Sequence, residues 1–239
     1  MTDKMPLLRQ KASSLGFNIS EDQLSQFEIY YARLVEWNNR FNLTSITGYE
    51  EIQTRHFLDS LSVILADKEL NNKNIIDVGT GAGFPGLALK IVFPDMHLTL
   101  LEATKKKTDF LTGLCEELQL KDVSVINNRA ENIGHEIEHR ENYDIAVSRA
   151  VASLDVLCEL SLPFCRIGGH FIALKRNAGA EVAAASPALT LLGGRLTQCL
   201  VVNSDALPEG GELVIIEKTK NTPDRFPRSN GIPGKRPLR

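Results

Sequence analysis

Apolar positions in the first part of the chain recur at spacings of three and four, so that Leu24, Phe27, Tyr31 and Leu34 fall on one face of a helix, with Trp37 near its end. Its start is legible: Ser20 and Gln23 make an S-x-x-Q capping box, and Ile19 can staple onto Leu24. A second helical stretch, roughly 50–66 (EEIQTRHFLDSLSVILA), completes an N-terminal helical lobe over 1–66. From Asn74 the pattern changes to short β-rich runs: NIIDV (74–78), HLTLLE (97–102), DVSVI (122–126), YDIAVS (143–148) and GHFIALK (169–175). Between them lie the helical segments GLALKIVF, KKTDFLTGLCEELQL and SLDVLCELSLPFC. Such alternation predicts right-handed βαβ crossovers and a parallel sheet covered on both faces. The last two runs, QCLVV (198–202) and GELVIIEK (211–218), are joined by NSDALPEG, which has no room for a helix, so they should pair as an antiparallel hairpin. The expected fold is α/β: a doubly wound, Rossmann-like, mostly parallel sheet over 67–220 with a helical lobe before it and a tail, 221–239, after it.

Hydrophobic residues at 43% and charged residues at 24% fit a globular protein with a proper core, and 239 residues suffice for one sizeable domain with an appendage. No apolar stretch approaches the roughly 18 to 20 residues of a membrane span, and the start lacks the apolar region of a secretory signal, so a cytoplasmic protein is expected. Cys115, Cys158, Cys165 and Cys199 show no C-x-x-C pairing and are expected as buried free thiols. Charge is unevenly spread. Residues 220–239 carry six Lys or Arg against one Asp, which makes the end of the chain +5 and leaves −8 on the other 219 residues. A basic tail on an acidic body suggests a docked polyanion such as nucleic acid, and the competing reading is a solvated terminus. Its Pro- and Gly-rich composition predicts a segment without fixed structure until RNA arrives.

The strand NIIDV runs into a turn with glycines at 79, 81, 83 and 86, which belongs at the carboxyl edge of the sheet where open α/β folds bind ligands. Glu102 ends the next strand about 20 residues later, where an acid can accept hydrogen bonds from both ribose hydroxyls. Two ligands share this geometry. Gly81, Gly83 and Gly86 satisfy G-x-G-x-x-G and allow NAD and an oxidoreductase. Asp77, just before Gly79, would repel a pyrophosphate over the turn and would suit a ligand with a cationic group such as S-adenosylmethionine. Glu131, with Ala130, could receive the adenine edge or be an exposed loop acid.

Methyl transfer from a sulfonium needs positioning more than a catalytic group if the acceptor has a free lone pair. The Asp/Asn-Pro-Pro-aromatic tetrad used on exocyclic amines is absent, because its position reads SRAV (148–151), and no cysteine sits in a Pro-Cys turn beside an activator. Guanine N7 needs neither. Arg149 at the mouth of the sheet could act as the catalytic, orienting group for the base or the cofactor carboxylate, or serve as a surface ion pair. HEIEH (135–139) matches a zinc signature formally but is polar on all sides and offers no clear third ligand, so no metal is expected. HFLDSL (56–61) lacks a nucleophile elbow, and His56 reads as helix surface or an RNA contact. Lys105, Lys106 and Lys107 crowd a helix's first turn, as a phosphate contact or a solvated face.

WNNRFNLTSI (37–46), RHFLDSL (55–61), DVGTGAGFPGLALKI (77–91), SRAVASL (148–154) and RFPRSNGIPGKRPL (225–238) together resemble the bacterial small-subunit ribosomal RNA guanine-N7 methyltransferases of the RsmG type, also called glucose-inhibited division protein B. The resemblance covers nearly the whole chain. It implies a methyltransferase sheet, S-adenosylmethionine as donor, and N7 methylation of a guanine near the decoding site of 16S ribosomal RNA, naked or in the 30S particle. It further implies that Gly79, Gly81 and Phe84 line the cofactor turn beside Asp77, that Glu102, Ala103 and Thr104 surround ribose and adenine, that Ala130 and Glu131 hold the adenine edge, and that Arg149 closes the site. Arg228, Lys235 and Arg236 would grip RNA phosphates, with His56 and Lys175 also on the RNA side. A monomer without membrane or metal partners is expected. The alternatives still open are the NAD-dependent oxidoreductase and a non-catalytic ribosome-assembly module that binds RNA.

Overall fold

The computed structural model describes residues 4–149, 152–202, 207 and 209–238. Seven strands form one sheet in the order β3-β2-β1-β4-β5-β7-β6. They are β1 (Asn74–Val78), β2 (His97–Glu102), β3 (Val123–Asn127), β4 (Tyr143–Arg149), β5 (Cys165–Lys175), β6 (Gly194–Val202) and β7 (Gly211–Lys218). The first five are parallel, while β7 lies antiparallel between β5 and β6. β6 and β7 pair as the pattern predicts; of the loop NSDALPEG between them, Asn203 to Ala206 and Pro208 lie outside the described residues, as do Ala150 and Val151 of SRAV.

Strand side chains alternate between two cores. Ile75, Val147, Ile172 and Leu174 face one core, which they share with α1 (Pro6–Ala12), α2 (Glu21–Asn38), α5 (Gly86–Val92) and α6 (Lys105–Glu117). Ile76, Ala146, Phe171 and Ala173 face the other, under α7 (Ala130–Ile133), α8 (Leu154–Ser161) and α9 (Gly179–Leu192). The N-terminal helices therefore bury Leu24, Phe27, Tyr30 and Leu34 in the same core as the sheet. Ser20 and Gln23 form the reciprocal capping box that their spacing predicts. α9 follows β5 unannounced by periodicity: GAEVAAASPALTLL is rich in alanine, lacks an apolar stripe and contains Pro187.

The second helical stretch is continuous but changes pitch. It passes from α3 (Tyr49–Ile52) through a π-helical turn (Gln53–Leu58) to α4 (Asp59–Leu61) and a 3-10 turn (Ser62–Leu65). A π turn re-aims the side chains around it and often marks a functional segment. Here it sends His56 inward, where it is buried, so the helix-surface reading of His56 is corrected. Cys115, Cys158 and Cys165 are buried, whereas Cys199 is exposed, because β6 is the last strand of the sheet.

The tail departs from its composition. Residues 221–238 pack against α7 and α8 and end in α10 (Ile232–Lys235). Phe226 is buried, Arg140 donates to the carbonyls of Thr222 (2.7 Å) and Phe226 (2.9 Å), and Glu141 accepts from Thr222 N (2.7 Å). Internal partners for the backbone replace the solvation that a Pro- and Gly-rich segment would otherwise need. Among the described residues, no helix is long and apolar enough to cross a membrane.

Candidate functional site

Strand order reverses between β1 and β4, and the carboxyl ends of those strands open the crevice where doubly wound sheets place ligands. A cavity of about 500 Å³ lies there, within the range for a small-molecule site. The glycine turn forms one wall. Gly79, Gly81 and Gly83 hold φ values of 72°, 62° and 101°, a region that other residues rarely enter. Space excludes side chains as well: a Cβ on Gly83 would lie 2.5 Å from the Tyr30 hydroxyl, and one on Gly86 would lie 2.8 Å from Asp77 Oδ2.

Most of the turn's amides are consumed inside the protein. Gly79 N and Thr80 N donate to Leu101 O, Gly83 N and Phe84 N to Thr80 O, and Gly86 N to Asp77 Oδ2 at 2.8 Å. Asp77 also accepts from Thr80 Oγ1 at 2.7 Å; it is fully buried, its Oδ1 is unpartnered, and desolvation pushes its carboxyl up to about 6. Asp77 was expected at the ligand's cationic group. The structure corrects this: the carboxylate lies beneath the turn and off the cavity wall, where it braces the backbone. It thereby occupies the helix N-terminus that would seat a dinucleotide's pyrophosphate, which removes the physical basis of the NAD reading.

Glu102 ends β2 at the cavity rim, where Oε1 accepts from Thr104 N (2.8 Å) and Oε2 from Gly81 N (3.1 Å). Gly79, Gly81, Phe84, Ala103, Ala130, Glu131 and Arg149 join it in lining the cavity, while Thr104 does not. Glu131 also turns outward to the tail: its Oε1 accepts from Gly231 N at 2.8 Å.

On the β4 side, Phe84 is sandwiched between Tyr30 (5.2 Å, near parallel) and His56 (4.5 Å), and the Arg149 guanidinium lies 4.9 Å over its ring. Arg149 donates from Nη1 to Arg55 O (3.0 Å) and Asp59 Oδ2 (2.9 Å), and from Nη2 to His56 Nδ1 (3.0 Å). A guanidinium only donates, so His56 Nδ1 must be the acceptor, and the Nε2 proton is left for Thr44 Oγ1 at 2.8 Å. Burial and the Arg149 charge hold His56 down to about 3, so the ring is neutral. Thr44 and Tyr30 are site residues that periodicity did not single out. Tyr30 donates to Ala82 O at 2.6 Å, and Thr44 N is fixed by the Asn38 carboxamide, contacts for which the pattern gives no signal.

Three residues expected on the RNA have partners within the protein. The Arg228 guanidinium pairs with the fully buried Glu159 (Nη2 to Oε2 2.5 Å), and its backbone N donates to the same carboxylate at 2.8 Å. The Lys175 ammonium is held between Glu181 Oε2 (2.7 Å) and Ala152 O (2.6 Å). His56 is occupied by Arg149 and Thr44. Burial of His56 and of Glu159 forces those polar groups to find an internal partner. Lys235 and Arg236 are exposed. In HEIEH the two histidines go to different partners, His135 to Pro227 O and His139 to the Tyr143 hydroxyl.

A family model described as rRNA small subunit methyltransferase G matches residues 23–206. A protein of Dehalococcoides mccartyi named ribosomal RNA small subunit methyltransferase G is 47% identical over 227 residues, 95% of this chain and 96% of its own length. One of the same name from Alkaliphilus metalliredigens is 44% identical over the full length of both chains. Among solved structures, NSun6 from Pyrococcus horikoshii superposes with a TM-score of 0.55 at 10% identity, over 70% of this chain and 53% of its own, a likeness of fold alone. With the sheet order, the braced glycine turn and full-length matches in agreement, the chain belongs to the GidB family of small-subunit ribosomal RNA methyltransferases.

Proposed function

We propose that this chain transfers the methyl group of S-adenosylmethionine to N7 of a guanine in small-subunit ribosomal RNA. The observation that carries the reading is the pairing of Asp77 under the turn with Glu102 at its rim: the first withdraws the helix N-terminus from phosphates, and the second leaves a carboxylate where ribose hydroxyls can donate. The names of the full-length relatives supply the acceptor class.

S-adenosylmethionine, when bound, supplies an electrophilic methyl on a sulfonium. Ala103, Ala130 and Glu131 form the wall that suits an adenine edge, and Phe84, His56 and Arg149 form the opposite wall, open to an incoming base. Guanine N7 carries a lone pair and no proton, so these residues need only orient the base and exclude water. Neutral His56 fits that role, because it fixes Arg149 without adding a second cation.

Incubation with labelled donor and 30S particles lacking the modification should label one guanine, and strand scission specific for 7-methylguanine should map it. Label on another RNA position, on protein or on a small metabolite overturns the reading. RNA binding without methyl transfer, unaffected by Asp77→Ala, would instead establish a non-catalytic assembly module.

A further inference from the structure

We propose that Arg55 and Arg176 form a phosphate-binding subsite on the acceptor side of the cavity, which the Glu209 carboxylate fills in the free protein and a phosphate of the RNA backbone fills in the complex. The proposal rests on the RNA methyltransferase reading and adds to it a second point of contact for the acceptor strand.

The π-helical turn places two consecutive residues on opposite tasks: His56 faces the cavity, and Arg55 faces the groove outside it. That groove, about 230 Å³, begins at His56 and Arg149 and reaches Arg55, Asp59 and Arg176. Beyond them it continues into a smaller pocket of about 120 Å³ bounded by Thr54, Leu207, Glu209 and Gly210. The Arg55 carbonyl accepts from Arg149, so the groove is tied to the cavity wall by a direct hydrogen bond.

Glu209 bridges the two arginines: Oε1 lies 3.0 Å from Arg55 Nε, and Oε2 lies 3.1 Å from Arg176 Nη1. Arg176 Nη1 also donates to Gly210 O at 3.1 Å, and Arg55 Nη1 to Glu51 Oε1 at 3.2 Å. A carboxylate between two guanidiniums shows that the place accepts an oxyanion. Its fit is incomplete. Arg55 Nε is out of reach of solvent and close to Glu209, yet its N–H is not directed at the carboxylate and has no hydrogen-bond partner. A tetrahedral phosphate offers oxygens in more directions than a planar carboxylate and can meet both guanidiniums. Arg176 and Glu209 are each about half exposed, at 47% and 48%, so the ion pair they form is weak enough to exchange. The neighbouring Lys175 is engaged by Glu181 Oε2 and Ala152 O and takes no part in that exchange.

The test uses the full-length protein, 30S particles lacking the modification and inorganic phosphate. Glu209→Gln should tighten RNA binding about three- to fivefold by removing the competing anion. Arg176→Gln should weaken it about tenfold and reduce the salt slope by about one. In the Arg176→Gln background the gain from Glu209→Gln should fall below about twofold, because the two residues act on one site. Affinity for S-adenosylmethionine by calorimetry should be the same in all variants. Inorganic phosphate titrated into the Glu209→Gln protein should shift the guanidinium resonances of Arg55 and Arg176. The proposal is overturned if Glu209→Gln binds RNA no tighter than wild type, if its gain is equal in both backgrounds, or if phosphate leaves those resonances in place. A protein whose arginines respond to phosphate but which labels no ribosomal RNA refutes the methyltransferase reading and leaves the subsite standing.

Discussion

The glycine turn after β1 and the C-terminal tail are both rich in residues that resist regular structure, and both are held by carboxylates that accept backbone N–H groups. Asp77 takes Gly86 N; Glu159, Glu131 and Glu141 take the amides of Arg228, Gly231 and Thr222. The device is the same, but its reach differs. Asp77 and Gly86 are nine residues apart, whereas the tail's carboxylates lie 69 to 100 residues away from the amides they hold. Irregular backbone becomes a fixed surface when a desolvated acid supplies the acceptors that helix or sheet would otherwise provide. The turn uses this to shape one wall of the cavity, and the tail uses it to fix a segment in which Lys235 and Arg236 are exposed.

The comparison breaks most sharply at Arg228. Replacing it with alanine strands Glu159 without its cation in the core, which should cost about 3 to 5 kcal/mol in chemical denaturation; lysine should recover only part, because it cannot pair through two nitrogens. A near-wild-type melting curve for Arg228→Ala would mean that the tail is held by something other than that pair.

In the turn, Asp77→Asn keeps the hydrogen-bond shape and removes the charge. The carboxyl titrates near 3.8 when unfolded and at about 6 in the fold, so between those values the folded state binds more protons and stability falls as pH rises. Across that window Asp77 should cost wild type about 3 kcal/mol relative to Asp77→Asn. His56, held down to about 3, acts in the opposite direction, with stability lost as pH falls below its ordinary 6.5, so the difference between the two proteins isolates Asp77. Parallel stability curves for the two proteins would show that Asp77 is not desolvated.

Tyr30→Phe removes the 2.6 Å bond to Ala82 O at a buried carbonyl and should cost about 1 kcal/mol, with weaker binding of S-adenosylmethionine by calorimetry. Lost stability with unchanged donor affinity would mean that the turn keeps its shape without this brace. The smallest effect on stability is expected for Lys235→Ala with Arg236→Ala: no change in melting, but weaker RNA binding and a salt slope lowered by about two. Unaltered salt dependence would remove the tail from the RNA interface.

Much of the fold was legible because its signals are local. The runs at 74–78, 97–102 and 211–218 coincide with β1, β2 and β7, because alternation between two buried faces writes itself into the strand. α9 was not legible, because an alanine-rich helix carries no stripe. For the site, the Gly-rich turn and Glu102 could be read from spacing, while Thr44, which lines the cavity, and Tyr30, which braces the turn behind it, could not, since each comes from an element whose position depends on packing.

By itself the sequence determined the order of the strands and of every crossover helix but α7 and α9, the glycine positions and the charge asymmetry, all consequences of local sterics and periodicity. Only the tertiary structure decided what each charge does. Asp77 braces the turn, Arg228 satisfies the buried Glu159, Lys175 pairs with Glu181, and Arg149 rests on a neutral His56. A charge in water has many equivalent partners, but a charge removed from water has only those that the fold brings within about 3 Å.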